Sequence, residues 1–381
     1  MSVLQLEIRT DCGAMRQVRQ VLWLLLLLAR GAWSRYAGSW STSAGGDCVV
    51  GCDCRAELKF TVCSGGGFSH LPLALPAPTE LLDLSHNRLT LLPPRSFSSV
   101  RRLRVLLLSN NSISVVQDGA FSLLEFLQRL DLSRNHISTL RGGFSLGLAS
   151  LRDLHLAHNL LTSLHTSSFL HLDSLQRLNL TANAIASIQT RSFSPLGSLR
   201  QLHLAHNRLP SLAGGVFSML RSLELLGLQD NLIQHTDDSV FKPLTSLALL
   251  DLAHNRLRTV SFKTFLSLHT YSTHILLEGN PWVCDCDLQR VFHKLHSVQR
   301  LFLDDYANLS CGEPAELRGH PLGEVDDELC VAETVTVLII TVTVVTTVLA
   351  AMVMAERKRK RKKRGRHWTQ QGEASDESDY S

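Results

Sequence analysis

One spacing governs what this chain can fold into. Asparagines stand at Asn87, Asn111, Asn135, Asn159, Asn183, Asn207, Asn231 and Asn255, each 24 residues after the last, and Asn280 follows after 25. Around them recurs the pattern L-x-x-L-x-L-x-x-N-x-L, as in Leu151, Leu154, Leu156, Asn159 and Leu161. A unit that short cannot bury its own apolar face, so the units must stack and share one continuous core. Within each unit a short strand would carry the two leucines of L-x-L inward. The chain then turns, and the asparagine amide can hydrogen-bond backbone groups that the turn would leave unpaired. Phenylalanines ten residues after most asparagines (Phe97, Phe121, Phe169, Phe193, Phe217, Phe241, Phe265) would fill the opposite, convex side. Phe144 comes after nine, beside Gly142 and Gly143, so the coil between Asn135 and Asn159 is expected to be locally irregular. The predicted class is α/β: a solenoid with a curved parallel sheet and eight repeats over residues 79–271.

Such an array needs its ends covered, and cysteine supplies the covers. Cys48, Cys52, Cys54 and Cys63 precede the first repeat, and Cys284, Cys286, Cys311 and Cys330 follow the last, with none between. In a secreted setting these read as two disulfide clusters, an N-terminal cap over 48–78 and a C-terminal cap over 272–333. Four cysteines allow three pairings. Neighbours within Cys-x-Cys are poorly placed to pair with each other, because successive side chains of an extended chain point apart.

Two apolar runs set the compartment. Val21–Ala29 is too short to span a bilayer, follows Arg16 and Arg19, and reads as the core of a secretory signal over residues 1–31. That signal starts at Met1 or at Met15, and residues 32–47 form a loose leader; Cys12 is lost with the signal. The second run, Thr334–Ala355, holds 22 uncharged residues between Glu333 and Glu356. As a helix it is about 33 Å long, enough for a hydrocarbon core of about 30 Å. Directly after it come Arg357, Lys358, Arg359, Lys360, Arg361, Lys362, Lys363, Arg364 and Arg366. The positive-inside rule then places the N-terminal part outside and residues 356–381 in the cytosol, as in a type I plasma-membrane protein. The basic run would rest on anionic lipid of the inner leaflet, at about 1 kcal/mol per residue. The tail holds nine basic and five acidic residues, so the 38 and 34 of the whole chain leave 29 of each before it. That balance argues against a basic nucleic-acid-binding domain, and no nucleic-acid partner is expected.

The C-x3-C-x-C-x8-C cap from Cys48 to Cys63, the 24-residue repeats, the segment NPWVCDC from Asn280 to Cys286, one membrane helix and a short tail together resemble the extracellular leucine-rich repeat membrane proteins. Within them the cap segment is most similar to the trophoblast glycoprotein group. The resemblance implies a leucine-rich repeat solenoid whose ectodomain binds an extracellular or membrane protein partner, with roles in adhesion and in damping Wnt signalling. A repeat ectodomain, one helix and a juxtamembrane basic cluster also resemble the auxiliary gamma subunits of large-conductance potassium channels. That implies an alternative, lateral modulation of a channel or receptor through the helix and basic run. The signatures H-E-x-x-H, G-x-S-x-G and G-x-x-x-x-G-K-[ST] are absent, so no catalysis, cofactor or metal site is expected. The His-Asn pairs at His86, His158, His206 and His254 read as polar surface positions.

Residues six and four before each asparagine alternate with the inward leucines and would line the concave face. Arg129, Asp153 and Arg177 would form an alternating-charge ladder there, and Leu225, Gly227, Leu249 and Leu276 an exposed apolar group, the candidate partner-binding patch. Three sequons offer N-glycosylation, at Asn110, Asn179 and Asn308, and a glycan on Asn179 would shield the centre of that face. In the membrane segment Thr343, Thr347, Ala351 and Ala355 recur every four residues, a small-residue stripe that permits close helix packing.

Overall fold

Twelve short strands form one sheet whose spatial order follows the order of the chain. The first two, Asp53–Arg55 and Phe60–Val62, make an antiparallel hairpin, and Phe60–Val62 pairs in parallel with Leu81–Asp83. From there each rung lies parallel to the next in register, so that Leu82 faces Leu106 and Leu226 faces Leu250. The longer last interval puts Leu250 opposite Ile275, and a twelfth strand, Leu301–Leu303, closes the sheet. The computed structural model describes the backbone of residues 48–325 and 327–373, and side chains over 48–325 and 335–361. The expected signal peptide, the leader and the side chains of Cys330, Lys362, Lys363, Arg364 and Arg366 lie outside the described residues.

The repeat's two leucines point into a core that runs the length of the array, with the central leucine of each rung fully buried from Leu82 to Leu250. The asparagines join neighbouring coils. Asn207 Nδ2 donates to the carbonyls of Leu180, Leu204 and Ala205 at 3.0, 3.0 and 3.1 Å, and its Oδ1 accepts from the Ile185 N–H at 3.0 Å. The same set of bonds recurs down the array, and the turn beside it explains the His-Asn pairs. The residue before each ladder asparagine has a positive φ: His86, Asn110, Arg134, His158, Ala182, His206, Asp230 and His254, all between 52° and 56°. Histidine, asparagine and aspartate tolerate the left-handed region comparatively well, while alanine gains nothing there. Ala182→Gly is therefore expected to stabilise the protein by about 1 kcal/mol, read as a higher urea midpoint.

On the convex side the phenylalanines stack. Phe97 and Phe121 lie 5.9 Å apart at an interplanar angle of 10°, and from Phe169 to Phe265 the rings again stack in series. Phe144 interrupts the series, meeting Phe121 edge-on at 86°. Its coil carries no convex strand, although short strands pair elsewhere on that side, as Leu91–Leu92 with Val115–Val116 and Ser163–Leu164 with Ser187–Ile188. Gly147, at φ +87°, has no room for a side chain, since a Cβ would lie 2.6 Å from the Phe121 carbonyl oxygen. The irregularity anticipated from Phe144 is thus a local break on the convex side, while Arg129–Asp131 and Asp153–His155 continue the concave sheet unbroken.

The hairpin cap is stapled by Cys48–Cys54 and Cys52–Cys63, and the C-terminal cap by Cys284–Cys311; Cys286 is also disulfide-bonded. In that cap Asp285 caps the helix Cys286–His296 by accepting from the Leu288 N–H at 2.7 Å, and Trp282 is buried edge-on to Phe292 at 5.6 Å. The Asp305 carboxylate accepts from the N–H groups of Leu277 and Glu278, both at 2.6 Å, supplying an acceptor where the solenoid ends.

A final helix, Asp327–Glu373, runs unbroken through the apolar segment and past Ala355, where the charge boundary had placed its end. Basic side chains are good helix formers, so nothing local stops the helix at Glu356. Its residues 335–361 are exposed among the described residues, and the span Val335–Arg361 is long and apolar enough to cross a membrane.

Candidate interaction surface

Because successive side chains of a strand alternate, each concave rung offers the residues on either side of its buried leucine. The pairing brings Arg129, Asp153 and Arg177 side by side as anticipated. The ion pair closes on one side: Arg177 Nε and Nη2 meet the two Asp153 carboxylate oxygens at 2.6 and 2.7 Å. Those hydrogen bonds raise the Arg177 pKa further. With the guanidinium exposed, such a pair contributes at most about 1 kcal/mol.

Next to it runs the row His155, Asn179, His203, adjacent across the paired strands. Asn179 is half-buried, and its Oδ1 accepts from the Thr181 N–H at 3.0 Å, whereas the sequon residue Asn308 is exposed and Asn110 half-buried. Partial burial pushes both imidazoles below their ordinary pKa, and for His203 the neighbouring His155 adds to the effect. Burial pushes the Asp251 carboxyl the other way, above its ordinary value. The native state therefore takes up protons at the two histidines less readily than the unfolded chain does. Stability is lost as pH falls below the unfolded histidine value near 6.5. Asp251 acts oppositely: its contribution is full below the unfolded carboxyl value and is lost as pH rises through its raised native value. The thermal midpoint of the protein should consequently drop between pH 7.5 and pH 5.5, and the double variant His155→Gln, His203→Gln should show a smaller drop.

The apolar group is less exposed than alternation alone suggested. Leu225, Leu249 and Leu276 are half-buried and Gly227 is buried, because each is flanked by side chains of both adjacent rungs. A Cβ on Gly227 would lie 3.0 Å from Gln229 Oε1, an atom itself buried without a hydrogen-bond partner among the described residues. The register also divides the group. Leu225 and Leu249 are direct neighbours, while Asp251 stands between Gly227 and Leu276. What continues the Leu225–Leu249 row is His274 and then Phe302, whose ring stacks on the imidazole at 5.2 Å and is 44% exposed. Asp304 holds that imidazole, 2.8 Å from Nδ1 to the nearer carboxylate oxygen. Phe302 lies beyond the last asparagine, so the repeat pattern does not point to it; the alternation in Leu301–Leu303 was the available signal.

Residues 78–281 match the leucine rich repeat family in overlapping segments, 78–113, 101–161, 126–185, 149–209, 175–233 and 221–281. The chain belongs to the leucine-rich repeat family. Among curated relatives, amphoterin-induced protein 3 of Rattus norvegicus is 41% identical over 76 residues, covering 20% of this chain and 15% of that protein. Leucine-rich repeat-containing protein 3B of Danio rerio is 39% identical over 84 residues, covering 20% and 32%. The chain thus spans less than a third of the length of these relatives. Solved structures extend the likeness over the ectodomain. Human 5T4 (Wnt-activated inhibitory factor 1, trophoblast glycoprotein) aligns at a TM-score of 0.58 and 27% identity, covering 75% of this chain and 99% of that one. A chain of the octameric complex of Latrophilin 3, Unc5D and FLRT2 aligns at 0.54 and 26%, covering 73% and 98%. This leucine-rich repeat protein is accordingly similar to cell-surface proteins of its family, which serve as protein-interaction scaffolds, and the one long apolar helix among the described residues fits a single-pass membrane protein.

Proposed function

We propose that this is a type I cell-surface recognition protein of the plasma membrane, whose repeat array docks an extracellular protein partner in adhesion or receptor modulation. The observation that carries the reading is the row Leu225, Leu249, His274, Phe302, two leucines and an exposed phenylalanine ring around one imidazole on a parallel sheet. Exposed aromatic residues on a fixed scaffold are the usual energetic centres of protein interfaces. The basic run after the apolar segment supports the orientation, and the likeness to human 5T4 supports the surface role, including a link to Wnt signalling. A glycan on Asn179 would stand midway along the concave face and direct partners toward the C-terminal end. The membrane helix serves as an anchor in this reading. Thr343 and Thr347 turn their hydroxyls back to the carbonyls of Ile340 and Val344, both at 2.8 Å, so the stripe with Ala351 and Ala355 offers a neighbouring helix no free hydroxyl donor.

Proximity labelling on intact cells should recover the same partners for the full-length protein and for a chimera with an unrelated membrane helix and tail. Loss of the partners in the chimera would instead favour lateral modulation by the helix and the basic run. Leu249→Arg and Phe302→Ala should each weaken partner binding at least about tenfold, or 1.4 kcal/mol, at unchanged surface amount. Unaltered binding by both variants would exclude the row.

A further inference from the structure

The residues on either side of each ladder asparagine form one edge of the sheet, and their charge is one-sided. Just after the asparagine stand Arg88, Arg208 and Arg256, and just before it Arg134, all four exposed. None of the four forms an ion pair among the described residues. Interleaved on the same edge are His86, His136, His158, His206 and His254, also exposed. The one carboxylate in these two flanking rows is Asp230, 3.5 Å from His206 Nδ1. The row is held rigidly, since the N–H groups of His136, Arg208 and Arg256 bond to carbonyls of the preceding coil at 2.9 Å. Rungs lie about 4.8 Å apart. From the first rung to the eighth the cations are therefore spread over a line of about 34 Å, which passes the sequon residue Asn110 on the second rung.

We propose that this edge binds a linear sulfated polysaccharide lying along the array. Arginine presents several N–H donors in a planar fork that matches a tetrahedral oxyanion, and an imidazole adds a further N–H donor on each arginine-bearing rung and on the fourth rung, at His158. Cations held on a fixed line suit a linear polyanion, and releasing its counterions drives the association. The proposal rests on the outward orientation of the ectodomain given above, which selects an extracellular sulfated chain over a nucleic acid.

The test uses intact cells that make no heparan sulfate and display the full-length protein, with fluorescent heparin as probe. The basic tail then lies across the membrane from the probe, and antibody staining of unpermeabilised cells reads the orientation separately. Wild type should bind heparin, and added salt should weaken the binding. Replacing Arg88, Arg134, Arg208 and Arg256 by serine should reduce binding about tenfold, while replacing Arg101, Arg102, Arg152 and Arg221, which lie off this edge, should leave it nearly unchanged. A gain-of-function variant guards against misfolding: Leu160→Arg fills the gap on the fourth rung, where Leu160 is 51% exposed, and should raise binding about threefold. Surface-displayed protein that ignores heparin, equal losses in the two serine variants, no gain from Leu160→Arg, or equal binding of duplex DNA would each overturn the proposal. Absent surface staining would instead refute the orientation.

Discussion

Phe217→Ala is expected to cost the protein about 4 kcal/mol, the usual range for emptying a fully buried aromatic site. The ring is inaccessible and stacked on both sides, 6.3 Å from Phe193 and 6.5 Å from Phe241, so neither neighbour can swing into the void without leaving its own stack. Phe144→Ala provides the comparison. That ring is equally buried but touches the series edge-on through Phe121, so its loss should cost about 1 kcal/mol less. Urea titration of the full-length protein in detergent, followed by far-ultraviolet circular dichroism, checks both; equal losses would mean that stacking contributes nothing beyond burial.

The second large effect belongs to the asparagines. Asn207→Ala removes three donated bonds and one accepted bond; the Leu180, Leu204 and Ala205 carbonyls keep Asn183 Nδ2, Asn231 Nδ2 and the Ala182 N–H as donors, while the buried Ile185 N–H loses its partner. One orphaned donor and three lost bonds together are expected to cost about 3 kcal/mol. Asn183 makes the same bonds but is half-buried, because Ala182 and Ala184 flank it where His206 and Arg208 flank Asn207. Water can replace the lost partner there, so Asn183→Ala should cost about 1 kcal/mol. The same titration separates the two, and equal costs would show that burial of the amide does not set its worth.

Much of this architecture was legible in the residue pattern because a repeat writes the same physical demand many times. A period of 24 with L-x-L before asparagine specifies inward leucines, and a phenylalanine one residue early locates the irregular coil. What occurs once was harder to read. Asp305 takes the acceptor role at the end of the array although it lies 28 residues from Leu277, and the stack of Phe302 on His274 depends on a strand pairing outside the repeats. Exposure on the concave face was overestimated at Leu225 and Leu249 because alternation says which way a side chain points, while its cover comes from both neighbouring rungs. The edge of arginines and histidines is hidden in the residue pattern for a different reason. Its members sit on both sides of the asparagine, and they line up only once the left-handed turn at residues such as Arg134 and His206 is known.

The break at Phe144 also has a mechanical meaning. A pull applied between the two caps runs along the whole solenoid, and each coil is only as secure as its grip on the next. At Phe144 the convex grip has no strand pair and consists of one edge-on ring contact and a few single hydrogen bonds, such as Gly119 N–H to the Gly143 carbonyl, leaving the concave sheet as the main tie. Under load the array should part there first, into a section ending near Asn135 and a longer one beginning near Asn159. The protein would extend in two steps instead of peeling coil by coil.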